Sequence, residues 1–441
     1  MHTKCLVVCF SSLAGLFAGA SLVAGQTTPP PTDPHVQHKQ PPDPHAQHAM
    51  PGTMMFERRE ASGTALLPDT TPMYGVMRPA GTWQLMWHGN GFVQYLHEIG
   101  DRGSDQAGSI NWFMAMARRP LGGGRLGLRG MVSLEPWTIR GCGYPDLLAT
   151  GEVCDDEPIH DRQHPHDLAM EIAAEYERPL RGAVRWQVYG GLAGEPALGP
   201  VAYPHRASAM PNPLAPIGHH WLDATHITFG VLTAGVFGPR WKMEASSFNG
   251  REPDAHRRNV DVGAFDSFSG RVWWLPSPSW AIQMSAGHIA EAEPGHGAAG
   301  PRIDVSRVTA SATYHRALLD DGIWATTIAW GRNEEEGTGT HALLAETNIN
   351  LRDRENWFGR LEVGGKPAHD LDIHGLEGHV TVGKAQGGYS RYFSATRSLQ
   401  PGIGASLSAG IVPRSLEAAY GRRVNFGFAL FVTVRPARHV M

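Results

Sequence analysis

The sequence is poor in charge, in lysine and in cysteine, and beyond its first 25 residues it has no long apolar run. Only 18% of its 441 residues are charged and the formal net charge is −4, a balance that disfavours a polyanionic partner such as nucleic acid. No stretch after the N-terminus reaches the roughly 18 uninterrupted apolar residues a spanning helix needs, so any later contact with a membrane must be made by strands. Scarce lysine and 53 glycines also disfavour a helical bundle, because glycine weakens helix interiors. Cysteine is limited to four residues.

Two of those cysteines, Cys5 and Cys9, lie in an apolar segment that follows Lys4 and ends in Val23-Ala24-Gly25, the pattern of an export signal over residues 1–25. The alternative is a retained membrane anchor. The exported chain keeps Cys142 and Cys154, twelve positions apart in a Gly-, Pro- and Asp-rich stretch, a spacing expected of a disulfide that closes a loop. A metal-thiolate site or two free thiols are the other options.

Residues 26–80 read as a disordered periplasmic tail and lead-in. Within the tail, Asp33-Pro34-His35-Val36-Gln37-His38 recurs as Asp43-Pro44-His45-Ala46-Gln47-His48, and Met50, Met54 and Met55 follow. Imidazole suits Cu(II), Ni(II) and Zn(II), and thioether suits Cu(I), so His35, His38, His45, His48 and these three methionines together favour copper or another divalent metal as ligand. The competing reading is a plain linker.

From about residue 81 to 436 the chain becomes a series of period-two segments. Leu126, Leu128, Val132 and Leu134 alternate with Arg129, Ser133 and Glu135; Trp241, Met243 and Ala245 oppose Lys242 and Glu244; Trp357, Leu361 and Val363 oppose Arg360 and Glu362. Such alternation gives a strand one apolar and one polar face. Sixteen strands follow, near 83–99, 110–118, 125–137, 170–178, 183–193, 226–237, 241–248, 269–275, 280–289, 305–315, 323–331, 342–351, 355–364, 378–393, 403–412 and 424–435. Short joins alternate with long ones. An even strand count with short periplasmic turns, and an apolar side facing hydrocarbon, implies a transmembrane antiparallel up-and-down β-barrel of the outer membrane, in contact with its lipid. A soluble sandwich that buries the apolar faces against each other is the rival.

The chain resembles bacterial outer-membrane β-barrel proteins over roughly residues 80–436. The last strand carries Phe426, Phe428, Leu430, Val432 and Val434 on one side, like the terminal strands that barrel assembly machinery recognises, although a C-terminal extension follows to Met441. The His/Met-rich tail ahead of a barrel also resembles, in layout, the copper-resistance B outer-membrane proteins.

If the polar faces point inward, Arg129, Glu135, Glu171, Glu175, Arg185, Lys242, Glu244, Glu346, Arg360 and Glu362 form a lumen charge network, which either tunes a pore or seals it. His160, His164 and His166, with neighbouring carboxylates in the third connection, are candidate metal ligands, and His205, His219, His220 and His226 could join them if the loops fold over one mouth. Ser246-Ser247-Phe248-Asn249-Gly250-Arg251 is loosely similar to the catalytic segment of outer-membrane phospholipase A, but Ala245 stands where the family has histidine and no local base reaches Ser247. The expected role is passage or handling of small solutes or metal ions at the cell surface. A lipid or ester hydrolase and a plugged structural or adhesive barrel are the alternatives.

Overall fold

The computed structural model describes residues 56–154, 157–293 and 302–439. The signal, and the tail residues His35, His38, His45, His48, Met50, Met54 and Met55, lie outside the described residues.

Strands follow one another along the chain as β1 (Val76–Ala80), β2 (Trp83–Glu98), β3 (Asp105–Leu121), β4 (Gly124–Val132), β5 (Tyr144–Cys154), β6 (Glu157–Gln163), β7 (Ala169–Arg181), β8 (Val184–Gly194), β9 (Thr228–Gly238) and β10 (Trp241–Phe248). They continue as β11 (Ser267–Trp274), β12 (Trp280–Glu293), β13 (Ile303–Ala317), β14 (Ile323–Glu335), β15 (Thr338–Leu351), β16 (Glu355–Pro367), β17 (His379–Tyr392), β18 (Leu399–Ile411) and β19 (Val424–Pro436). Consecutive antiparallel pairing of β2–β4 and β7–β19 closes into a ring of sixteen when β19 pairs with β2. Closure leaves no open edge, which is the condition for a sheet to cross hydrocarbon. β1 continues the row that β19 vacates, lying against Trp83–Trp87 of β2.

The period-two pattern decides the faces. Burial along β11 alternates strictly between inward and outward residues, so Arg271 and Trp273 point in while Val272 and Trp274 point out. On the outside stand Leu343, Leu361, Val363, Leu407, Leu430 and Val432, an exposed apolar surface. Near the short-turn rim, Trp280 packs on Tyr314 at 4.8 Å and Trp357 on Tyr389 at 4.7 Å, an aromatic girdle of the kind found where hydrocarbon meets headgroups. The soluble-sandwich rival is thereby excluded, since its apolar faces would be buried against each other.

Short turns sit at one end. The β3–β4 turn uses Gly122 and Gly123 at φ of 54° and 77°, the left-handed pair that a two-residue hairpin demands. Among the described residues, the long β4–β7 and β8–β9 connections leave the opposite end and turn into the bore. One carries the β5–β6 hairpin, unforeseen from sequence, in which the Cys142–Cys154 disulfide ties a residue just ahead of β5 to the last residue of β5, with Cα atoms 5.8 Å apart. Its Leu147 and Leu148 pack with Leu371, Val412, Leu416 and Tyr420 from the other long connections, forming an apolar cap on that mouth.

Two expectations need correction. β4 ends at Val132, because Pro136 cannot continue a ladder; Glu135 begins the helical turn α1 (Glu135–Thr138) and does not stand on the barrel wall. Residues 56–80, placed with the tail, are folded into the barrel: Arg129 donates to the Gly63 and Ala61 carbonyls, Lys242 to that of Thr64, and Arg118 pairs with Glu60. The physical reason is that inward cations left by the strands meet backbone oxygens and a carboxylate supplied by this segment.

Candidate site in the barrel lumen

The bore of a sixteen-strand barrel is too wide for its own side chains to fill. Here the β8–β9 connection, residues 195–227, threads it and is almost wholly buried. Inward polar residues of many strands hold it by its backbone. Asn90 of β2 donates to the Met210 carbonyl at 3.0 Å, Arg360 of β16 to that of Leu214 at 2.9 Å and Lys366 to that of Ile217 at 2.8 Å. On other walls Ser246 of β10 accepts from Ala197 N–H at 2.7 Å and Ser285 of β12 from Gly199 N–H at 2.8 Å. At its centre Arg206 is fully enclosed, 2.7 Å from Asp223 of the same connection and 2.6 Å from Glu346 on β15.

The inward charges sit as follows. Arg129 is 3.5 Å from Glu171 and 3.8 Å from Glu175; Arg185 is 2.9 Å from Glu177; Lys242 is 3.1 Å from Glu244, which Arg271 also meets at 2.9 Å. Arg360 reaches Glu346 at 3.1 Å, and Glu362 accepts from Gly218 N–H at 3.1 Å. Glu135 accepts from Asn111 N–H and lies 2.9 Å from His166. Lys384, not among the expected members, bridges Asp146 at 2.6 Å and Glu98 at 3.0 Å and so ties the cap to two strands.

Imidazoles from two connections meet in this packed interior. The short helix α2 (His219–Leu222) carries His219 and His220; His219 lies 5.1 Å from His226 and 5.4 Å from His220, ring to ring, and His166 lies 5.4 Å from His226. His164 joins them 5.9 Å from His220. His160 does not: it stays on β6, half-buried, 3.3 Å from Asp161. The expected trio of His160, His164 and His166 is therefore split, because residues 161–163 finish a strand before the chain turns inward.

Hydrogen bonds set the tautomers. His226 Nδ1 lies 2.8 Å from the Asp223 carbonyl, which can only accept, so the proton is on Nδ1 and Nε2 keeps its lone pair. His219 Nδ1 lies 2.8 Å from Asp223 Oδ1 in the same arrangement. Burial pushes His219 down to about 4 despite the neighbouring Asp223, and pushes His226 well below its ordinary value. Burial is outweighed at His166, where Glu135 raises the imidazole. Nε2 of both His220 and His226 is buried without a hydrogen-bond partner. For His226, a carbonyl behind the ring and an open Nε2 in front is the disposition in which histidine accepts a proton donor or a metal ion. Among the described residues, no three His, Cys, Asp or Glu side chains are disposed to hold one ion together.

Three cavities with shared walls run from the short-turn mouth toward these imidazoles. The first, about 260 Å³, is bordered by Glu57, Arg125, Arg185 and Trp241. It shares Glu60 and Arg129 with a second of about 90 Å³, which shares Asn90, Trp112 and Met210 with a third of about 20 Å³ at His166 and Tyr203. Ser247 lies elsewhere, on the exposed outer face of β10 between Leu232 and Phe268.

No protein-family model matches the chain, and no curated protein matches it. Solved structures similar to it are outer-membrane barrels. OmpT of Vibrio cholerae is 7% identical, with 82% of this chain and 99% of that one covered at a TM-score of 0.45. Salmonella typhi OmpF, in complex with daunomycin, is 9% identical with 82% and 100% covered at 0.49. An anion-selective porin from Comamonas acidovorans is 9% identical with 80% and 99% covered at 0.44.

Proposed function

We propose that this chain sits in the outer membrane of a Gram-negative-type bacterium and passes or handles small solutes, metal ions among them, along a narrow route through an occupied bore. The observation that carries this is the buried 195–227 connection, which fills the lumen yet leaves three adjoining cavities, the second lined by His88 and His205, whose Nε2 atoms have no hydrogen-bond partner, and the third reaching His166. A diffusion pore needs no such lining, and a barrel that serves only as scaffold needs no such series of spaces.

The His/Met tail, residues His35 to Met55, extends this reading: on the periplasmic side it captures copper and raises its local concentration near the mouth. Deleting residues 27–55 then lowers copper bound by the purified protein, whereas a plain linker leaves it unchanged. Passage itself is tested in planar bilayers and metal-loaded liposomes. Expected is a small, ion-dependent conductance that rises when the connection is released from the wall. Absence of current and of uptake, in the intact and the released barrel alike, supports the plugged structural reading instead.

A further inference from the structure

The second cavity has a lining that the charge network and the histidine cluster do not account for. On the inner face of β2, β3 and β4 the register places Met86 opposite Met116, and His88 opposite Met114, which in turn faces Met131. Directly opposed residues hold their Cβ atoms about 4.5–5.5 Å apart, so these side chains form one contiguous patch. Met86, Met114, Met116 and Met131 are all buried, and Met73 and Met77 from the folded lead-in pack against them.

From above, the β8–β9 connection lowers His205 and Met210 onto this patch, and both border the cavity together with Met73, Met86, His88 and Met116. The rings of His88 and His205 lie 6.0 Å apart, with Trp112 at 5.2 Å from the first and 4.4 Å from the second. Nε2 of each histidine is buried without a hydrogen-bond partner, and His205 is more than nine-tenths enclosed. An unsatisfied buried nitrogen carries a desolvation cost unless something binds it. Two of them beside several thioethers describe a donor set rather than a plain apolar core.

Thioether sulfur and imidazole nitrogen are soft and borderline donors, neutral in charge, and they select a soft monovalent cation over a hard or doubly charged one. Charges near the cavity agree with a low ligand charge. Arg129 is engaged by Glu171 and two carbonyls, Arg435 is 3.0 Å from Asp353, and the exposed Arg58 borders the cavity together with Glu57 and Glu60. Trp112 adds an aromatic face to which a cation is attracted.

We propose that the cavity between the β2–β4 wall and the 195–227 connection binds a soft monovalent metal ion, Cu(I) or Ag(I), through Met86, Met116, His88 and His205, with Met73 and Met210 at its rim. This deepens the reading of metal ions as solutes by naming the class of ion and its station; no electron is transferred in the binding step.

The test uses the full chain, refolded in detergent with methyl-13C methionine, titrated with silver nitrate in chloride-free buffer. Met86→Leu and Met116→Leu identify two methyl resonances, and leucine conserves volume well enough to keep the barrel folded. Expected is a shift of the Met86 and Met116 resonances that saturates at one silver ion for this cavity, separately resolved from Met50, Met54 and Met55 of the tail. The double variant should bind at this station at least about tenfold more weakly. His205→Gln, which leaves the thioethers in place, should weaken it in the same direction. Silver shifts confined to the tail methionines, with Met86 and Met116 unmoved to excess silver, would overturn the proposal. Conductance is read separately: current without these shifts removes the metal station and keeps passage, and shifts without current keep the station and remove passage.

Discussion

Glu195 shows how a single residue can make the packed bore sensitive to pH. It leaves β8 into the lumen, is buried, and stands 3.4 Å from Arg271 with the backbone of Gly63 against its side chain. Burial raises its carboxyl to about 7, opposed by Arg271 and Ser62. The folded state therefore holds a proton that the unfolded chain gives up at about 4.5. Stability from this group is fully present below that value and is lost as pH rises through about 7, by on the order of 3 kcal/mol. Glu195→Gln should flatten this part of the profile between pH 5 and 8 in thermal unfolding of the detergent-solubilised protein; an unchanged slope would assign the pH dependence elsewhere. Arg206 tests the opposite case. Arg206→Ala leaves Asp223 buried without its cation and Glu346 with Arg360 alone, at a cost of about 3–5 kcal/mol. The barrel wall should survive, since its ladder does not use Arg206, while the 195–227 connection loosens and single-channel conductance increases.

At the scale of elements, strands were legible and inward loops were not. Alternation in 241–248 located β10 to the residue, because every second side chain must choose between lipid and lumen. β5 and β6 were hidden, since their stretch is rich in Gly, Pro and Asp and carries no clean alternation. The cysteine spacing and the histidines from His160 marked that region without marking strands, and the disulfide that the spacing suggested is present. The bridge closes a short loop, worth about 3 kcal/mol to that hairpin. Cys142→Ser with Cys154→Ser should raise amide exchange across 144–163 and at the Leu371 and Tyr420 contacts, leaving exchange in β10–β16 unaltered. Equal acceleration in the barrel strands would show that the cap is coupled to the wall.

For the whole molecule, the outward face sets the environment. Leu361, more than half exposed near the middle of β16, stands beside inward Arg360. Leu361→Arg should cost about 2–4 kcal/mol in lipid-bilayer refolding. A polar change on an exposed loop, such as His256→Gln, should cost little by the same measurement. If the arginine were tolerated like the loop change, the apolar band would not be facing hydrocarbon.

Period-two alternation, the even count and the rhythm of short and long joins determined the barrel without any tertiary information, because lipid outside and water inside impose opposite demands on successive side chains. The pairing of Cys142 with Cys154 was equally accessible, from spacing alone. What entered the bore was decided only in three dimensions. His166 and His226, or Met86 and His205, are distant in sequence and carry no periodic mark, and they meet because the 195–227 connection and the folded lead-in satisfy inward charges that the strands leave open. The fate of His160 has the same cause: a hairpin holds it at the rim, while the chain beyond it carries His164 and His166 inward.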